Sequence, residues 1–352
     1  MSIRTMDGFD HYGGLTARAL EGWWSQLESS VSIATANPRN GTHALRINMN
    51  GSSTATARHP LGAALVTAGV GFGHFVPTLP TSGSQHVLAE FRDAANAAQV
   101  QFLLGTTGTI KAYRGDFVTL LGESGQVFVG GSYQHVEFKV TISDTVGVAA
   151  CKVNGVSALN LTAQDTKATA NTETSQLFHG TRGGGGGSGA GNCDFDDWFT
   201  WDDQGAQNND FIGDKRVLFQ ALDGDTAATD WVRSGGSNDF DMIKEAAPDD
   251  DTTYISAANL NDISEFSIAD LAGGASGIAA IMLFARMKKT DAGAANVQMS
   301  ILSGASVGAG ADRAITTGYA YYKDISELDP ATSAAWAAAG FNAALKRIER
   351  TA

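Results

Sequence analysis

The residues best placed to do chemistry are the carboxylates of 194–214, DFDDWFTWDDQGAQNNDFIGD, which follow a glycine tract and stand beside Phe195, Trp198, Phe199 and Trp201. The aromatic rings favour burial, whereas Asp196, Asp197, Asp202 and Asp203 require water, hydrogen-bond donors or a cation. The segment is therefore predicted to be a strand end beside a polar turn, with its acids at the turn and on the surface. Calcium takes carboxylate and carbonyl oxygens from turns, which makes Asp196 and Asp197 the candidate calcium ligands. The competing expectation is that turn aspartates accept from nearby backbone amides. A second acidic cluster, 249–251, offers the same choice, and neither cluster has the spacing and terminal Glu of an EF-hand loop. No other cofactor is expected.

Other chemistries lack their residues. A retaining glycosidase needs two carboxyl groups roughly 5 Å apart, which alternate acids on one strand can supply; the chain has no Glu-x-Asp-x-Glu strand. The seven histidines, at 11, 43, 59, 74, 86, 135 and 179, show no His-Glu-x-x-His spacing, and no Gly-x-Ser-x-Gly elbow accompanies them. No catalytic residue is nominated. Cys151 and Cys193 lack the paired spacing of a zinc site and are expected to be buried free thiols, a bridge between them being the alternative. The tract 183–191 carries Gly at 7 of 9 positions but no following Lys-Ser or Lys-Thr, so it reads as a mobile surface loop and not as a phosphate cradle.

The elements that must position these residues are strands. Short apolar runs alternate with Gly, Asn, Asp and Ser clusters, the pattern of antiparallel strands joined by turns. In 135–142, HVEFKVTI, Val136, Phe138, Val140 and Ile142 share one face, predicted as core. His135, Glu137, Lys139 and Thr141 share the other, predicted as solvent-facing. A strand at 148–153, the dipeptide Asn154-Gly155 and a strand at 156–161 complete a meander. Further strands are expected at 42–49, 86–91, 100–104, 126–129, 216–219, 229–234, 249–255, 278–289, 296–302 and 319–323. The best helix is 332–339, TSAAWAAA, and 344–350 is expected to be a closing strand.

With 352 residues the chain exceeds one comfortable core, and two domains are expected, 1–212 and 213–352. A formal charge of -13 offers no basic stripe, which argues against a nucleic-acid partner. No run of 18 apolar residues suggests a membrane span, and 1–14 does not read as a secretory signal. The fold class is therefore mainly β, two tandem antiparallel sandwiches with few short helices.

Several segments carry a resemblance. NGTHALRINMNG, HVEFKVTISDTVGVAACKVNGVSALNL and FDDWFTWDD resemble strands of the jelly-roll, concanavalin A-like lectin or laminin G-like sandwiches found in bacteriophage structural proteins. FIGDKRV, TDWVRSGGSNDFDMIKEAAPDDDTTYI and IMLFARMKKTDAGAANVQM resemble, in that order, a downstream region of predicted tailed-phage virion proteins. The resemblance implies a non-enzymatic component of the virion, tail-associated or decorating its surface and made in the host cytoplasm. Its partners would be copies of itself, other virion proteins and host surface glycans. The alternative is a carbohydrate-binding, lectin-like module. Trp23, Trp24, Trp198, Trp201 and Trp231 could stack on sugars, but burial in a sandwich core is the expected fate of most of them, so no sugar-binding residue is nominated.

Overall fold

The computed structural model describes residues 2–50, 55–81, 85–182, 188–271 and 277–352. It divides into two compact units, one of Met1–Asp10 with Gly14–Leu218 and one of His11–Gly13 with Phe219–Ala352. Both are built of antiparallel strands, as the alternation of apolar residues predicts.

The first unit is a sandwich of two sheets. One runs, in hydrogen-bonded order, Val156–Gln164, Gly147–Val153, Tyr133–Thr141, Thr67–Phe75, Asn192–Asp202, Ala44–Asn48 and Val31–Ala34, with Ile3–Asp7 also pairing to Asn192–Asp202. The other runs Thr119–Glu123, Ile110–Arg114, Ala98–Leu104, Gln85–Arg92, Thr174–Arg182, Thr56–Leu65 and Gln26–Leu27. Rings from the two inner faces meet between them. Phe102 lies 4.7 Å from Phe138 by ring centroids, His179 lies 5.2 Å from Phe72, and His59 lies 4.4 Å from Trp198. Large buried rings dominate such a core because each removes so much apolar area from water. The inward residues of 135–142 are buried as predicted, and Asn154 and Gly155 both take positive φ, as a two-residue type I′ hairpin requires.

The second unit has a five-stranded sheet, Leu222–Thr229, Ile263–Ile268, Leu345–Arg350, Asn296–Ser303 and Ser306–Ala314, and a separate pair, Ile281–Met287 with Ala320–Ser326. Ile268 and Ile301 of the sheet pack with Ile281 of the pair and with Trp336 and Phe341. The helix expected at 332–339 is displaced. Trp336 is drawn into this core, Asp329 holds the preceding turn by accepting from Ala331 N, and the helix forms only at Ala338–Ala343. No strand forms at 126–129 or 216–219. The expectation of a mobile loop at 183–191 falls partly on 183–187, outside the described residues.

Candidate functional site

Asn192–Asp202 is a central strand of its sheet, which corrects the expectation of a strand end beside a turn. Asp194, Asp196, Asp197 and Asp202 are buried and are not surface groups. A bulge separates Asp196 from Phe199 in the register with Thr67–Phe75, and Asp197 has φ +53°. Such a bulge turns successive side chains out of simple alternation. Trp198 thereby reaches the interior, where its Nε1 donates to His179 Nε2 at 3.2 Å. Asp196 and Asp197 point outward.

On that outer face the neighbouring strand supplies Gly69, Gly71 and Gly73. A Cβ at Gly69 would lie 2.0 Å from the Trp201 ring, one at Gly71 2.3 Å from the Phe199 ring, and one at Gly73 2.4 Å from Arg39 Cδ. Three alternate glycines thus make a trough in which two rings and an arginine stem lie flat against the backbone.

The acids of this face are tied to the chain's own donors. Asp196 accepts from Arg39 N at 2.7 Å, Asn40 N at 3.0 Å and Asp197 N at 2.7 Å. Asp197 accepts from Val217 N at 2.9 Å, Arg39 Nη1 at 3.3 Å and Arg216 Nη1 at 3.4 Å. Asp194 is held by Arg46 at 2.7 and 2.8 Å. All four oxygens of Asp196 and Asp197 therefore have protein donors. Burial, and then the charge of Asp197, push Asp196 up to about 7 against the pull of its three amides.

A strap formed by residues 203–217 covers the rest of the face. Glu137 accepts from Ile212 N at 2.7 Å and Gly213 N at 3.0 Å, Lys139 donates to Asp210 at 3.0 Å, and Arg39 donates to Asp214 at 2.7 and 2.8 Å. Phe211 meets Trp201 at 6.2 Å. His135 and Glu137, expected to face solvent, are consequently buried. The strap also explains why 216–219 pairs with no strand: Val217 N and the Arg216 side chain serve Asp197.

The outer face of the seven-stranded sheet is built differently. Glu90, Arg92, Gln99 and Gln101 project from it and are buried under loops. Arg92 Nε donates to Glu90 at 2.5 Å, its Nη1 reaches the Asn96 carbonyl at 3.1 Å, and its guanidinium lies 4.5 Å from the Phe178 ring centre. Gln101 donates to Glu90 at 2.8 Å and to Asp116 at 3.3 Å, and accepts from Phe117 N at 3.0 Å. Gln99 donates to the Asn171 carbonyl at 2.8 Å and accepts from Ala168 N at 2.8 Å. Beside this network opens a cleft of about 340 Å³ lined by Asn96, Ala98, Arg114, Asp116, Thr119 and Ala168 among others. Asn96, Arg114, Asp116 and Thr119 contribute an amide, a guanidinium, a carboxylate and a hydroxyl to its lining. The Arg114 guanidinium pairs with Asp165 at 2.6 Å and donates its Nε to the Lys167 carbonyl at 3.2 Å, which leaves Nη2 for the cleft's other groups.

Sequence reasoning did not nominate these residues, because the strands and loops that carry them meet only through sheet pairing. Gln99 and Gln101 on one strand, with Glu90 and Arg92 on its partner, formed a detectable signal: polar residues at period two in runs whose other positions are core. Sequence reasoning also did not bring together the buried residues His74, His86 and Cys193, whose ligand atoms lie within 4.8 Å of one another. Cys151 and Cys193 are both buried free thiols. Among the described residues, no helix is long and apolar enough to cross a membrane.

No family model matches the chain, and no curated protein matches it. Solved structures do. Alginate lyase Aly36B is 12% identical, with a TM-score of 0.40 over 55% of this chain and 95% of that one. Alginate lyase AlgAT5 from Polysaccharide Lyase family 7 is 12% identical, with a TM-score of 0.36 over 52% of this chain and 94% of that one. A sialidase is 12% identical, with a TM-score of 0.42 over 56% of this chain, which spans only 18% of the sialidase's length. These are sugar-processing enzymes. The expectation of a non-enzymatic structural component of a phage virion finds no support among these neighbours, which are named as enzymes and not as virion proteins.

Proposed function

We propose that the protein handles carbohydrate and that the cleft on the outer face of the seven-stranded sheet takes the saccharide. The observation that carries this reading is the convergence of four polar side chains, set among alanine and valine, around a cleft whose floor is fixed. Asn96, Arg114, Asp116 and Thr119 offer donors and acceptors to a hydroxyl-rich ligand, while Arg92, Gln99 and Gln101 hold the loops that shape it. Preorganised polar groups lose little freedom on binding, so their hydrogen bonds count toward affinity and specificity. The sugar-processing role of the structures it resembles comes to this chain as part of the same proposal.

Calorimetry against a panel of alginate, sialylated and neutral oligosaccharides tests binding, and chromatography of the same mixtures tests turnover. Asp116→Ala and Arg114→Ala are each expected to weaken binding about tenfold, the effect of losing roughly one charge-assisted hydrogen bond. A panel that shows neither heat nor product with the wild-type protein overturns the reading. So does a ligand whose affinity both substitutions leave unchanged.

A further inference from the structure

The interior of the first sandwich holds a donor set that the outer-face cleft does not use. His74 comes from Thr67–Phe75, His86 from Gln85–Arg92 on the opposite sheet, and Cys193 from Asn192–Asp202. All three are wholly buried, and their ligand atoms lie within 4.8 Å of one another. His74 Nδ1 stands 3.1 Å from the Asp194 carbonyl, which can only accept. That nitrogen therefore carries the proton, and Nε2 presents a lone pair. His86 Nε2 stands 3.1 Å from His74 Nε2, and His86 Nδ1 stands 3.5 Å from Ser188 Oγ. A backbone carbonyl behind His74 fixes its tautomer, and a hydroxyl behind His86 can serve either tautomer; both are outer partners of the kind that metal-bound histidines have.

We propose that His74, His86 and Cys193 form a three-coordinate copper(I) site inside the sandwich. Two imidazoles with one thiolate, and a backbone oxygen at longer range, are a donor combination that suits copper, whereas hard cations want oxygen. Ala190 O lies 3.9 Å from Cys193 Sγ and is the nearest backbone oxygen among that thiol's hydrogen-bond contacts. Charge selects the monovalent ion. One thiolate and copper(I) sum to zero, which a dry core tolerates, whereas a divalent ion would leave an unbalanced charge among Phe72, Phe128 and Phe195. Metal bonds of roughly 2.0–2.3 Å place donors about 3.4–3.8 Å apart, so the widest pair need close by no more than about 1 Å. On binding, the Cys193 S–H bond breaks, an S–Cu bond forms and the proton leaves to solvent. His86 changes tautomer, its Nδ1 now donating to Ser188, and copper stays at +1. Because the ligands are buried, ligation accompanies folding.

The test is to produce the whole protein with copper supplied during expression, purify it anaerobically, and challenge it with a chromophoric copper(I) chelator. One copper per chain should be retained, and X-ray absorption of that sample should show one sulfur and two nitrogen scatterers, a reading that needs no variant. Cys193→Ser and His86→Gln should each lower retained copper at least tenfold, while Cys151→Ser should retain it. Wild-type protein that surrenders all its copper, lacks the sulfur scatterer, or takes up zinc in its place overturns the proposal. So does a folded Cys193→Ser protein that holds copper as the wild type does.

Discussion

The two outer faces of the first sandwich bury charge in opposite ways. On the eight-stranded sheet the charges are closed over by the chain itself, with Asp196, Asp197 and Glu137 all capped by amides from 39–40 and 212–217. On the seven-stranded sheet Glu90, Arg92, Gln99 and Gln101 instead fasten loops around an opening. A buried carboxylate is thus no guide to a ligand site until its acceptor positions are counted. Where the backbone has filled them the group is architecture; on the other face the network runs out to exposed Asp116 at the cleft.

The comparison can be broken most forcefully at the latch of the covered face. Arg39→Ala removes the guanidinium shared by buried Asp197 and by Asp214 of the strap, and breaking such a pair should cost about 3–5 kcal/mol in urea unfolding. It should also open 203–217 to proteolysis while leaving cleft binding unchanged. Loss of saccharide binding in this variant would show that the two faces are not independent.

Acid should act on the core that both faces share. His74, His86 and His179 are kept neutral by burial, with His86 lowered to about 3 and His179 to about 4. A base whose folded value lies below its ordinary 6.5 contributes stability that is present above pH 6.5 and lost as pH falls toward those values. The urea midpoint of the copper-free protein should therefore drop steadily below pH 6.5, and a flat profile down to pH 4 would contradict the buried neutral assignment.

A smaller effect is expected in the trough. Gly71→Ala places a methyl against the Phe199 ring and should cost about 1–3 kcal/mol, read as a lowered Tm. The smallest belongs to the open face. Asp116 is exposed and accepts a bond from buried Gln101, so Asp116→Ala should cost no more than about 1 kcal/mol even as it weakens saccharide binding. A large stability loss there would make Asp116 another piece of architecture and erase the contrast.

What the sequence made legible was local. Val136, Phe138, Val140 and Ile142 announced their strand by period two, and Asn154-Gly155 announced its turn by backbone preference, because both depend on residues a few positions apart. The burial of His135 and Glu137 was not legible, since it depends on a strap some 75 residues later. Asp196 and Asp197 read as turn groups because adjacent acids rarely occupy a central strand; the bulge and the trough of Gly69, Gly71 and Gly73 that admit them are properties of two strands together. The run at 332–339 had the composition of a helix, but burying Trp336 outweighed the propensity of its alanines, which is worth only on the order of 0.5 kcal/mol per residue.

Ile3–Asp7 finds its partner in Asn192–Asp202, so the ladder between them closes a loop of nearly the whole first unit. During synthesis the early strand has to wait, its edge unsatisfied, until the ribosome has delivered the late one. Topologies dominated by such distant pairings fold slowly and expose strand edges meanwhile. The strand that carries the acids and tryptophans of 194–202 is thus the one whose arrival gives Ile3–Asp7 its partner.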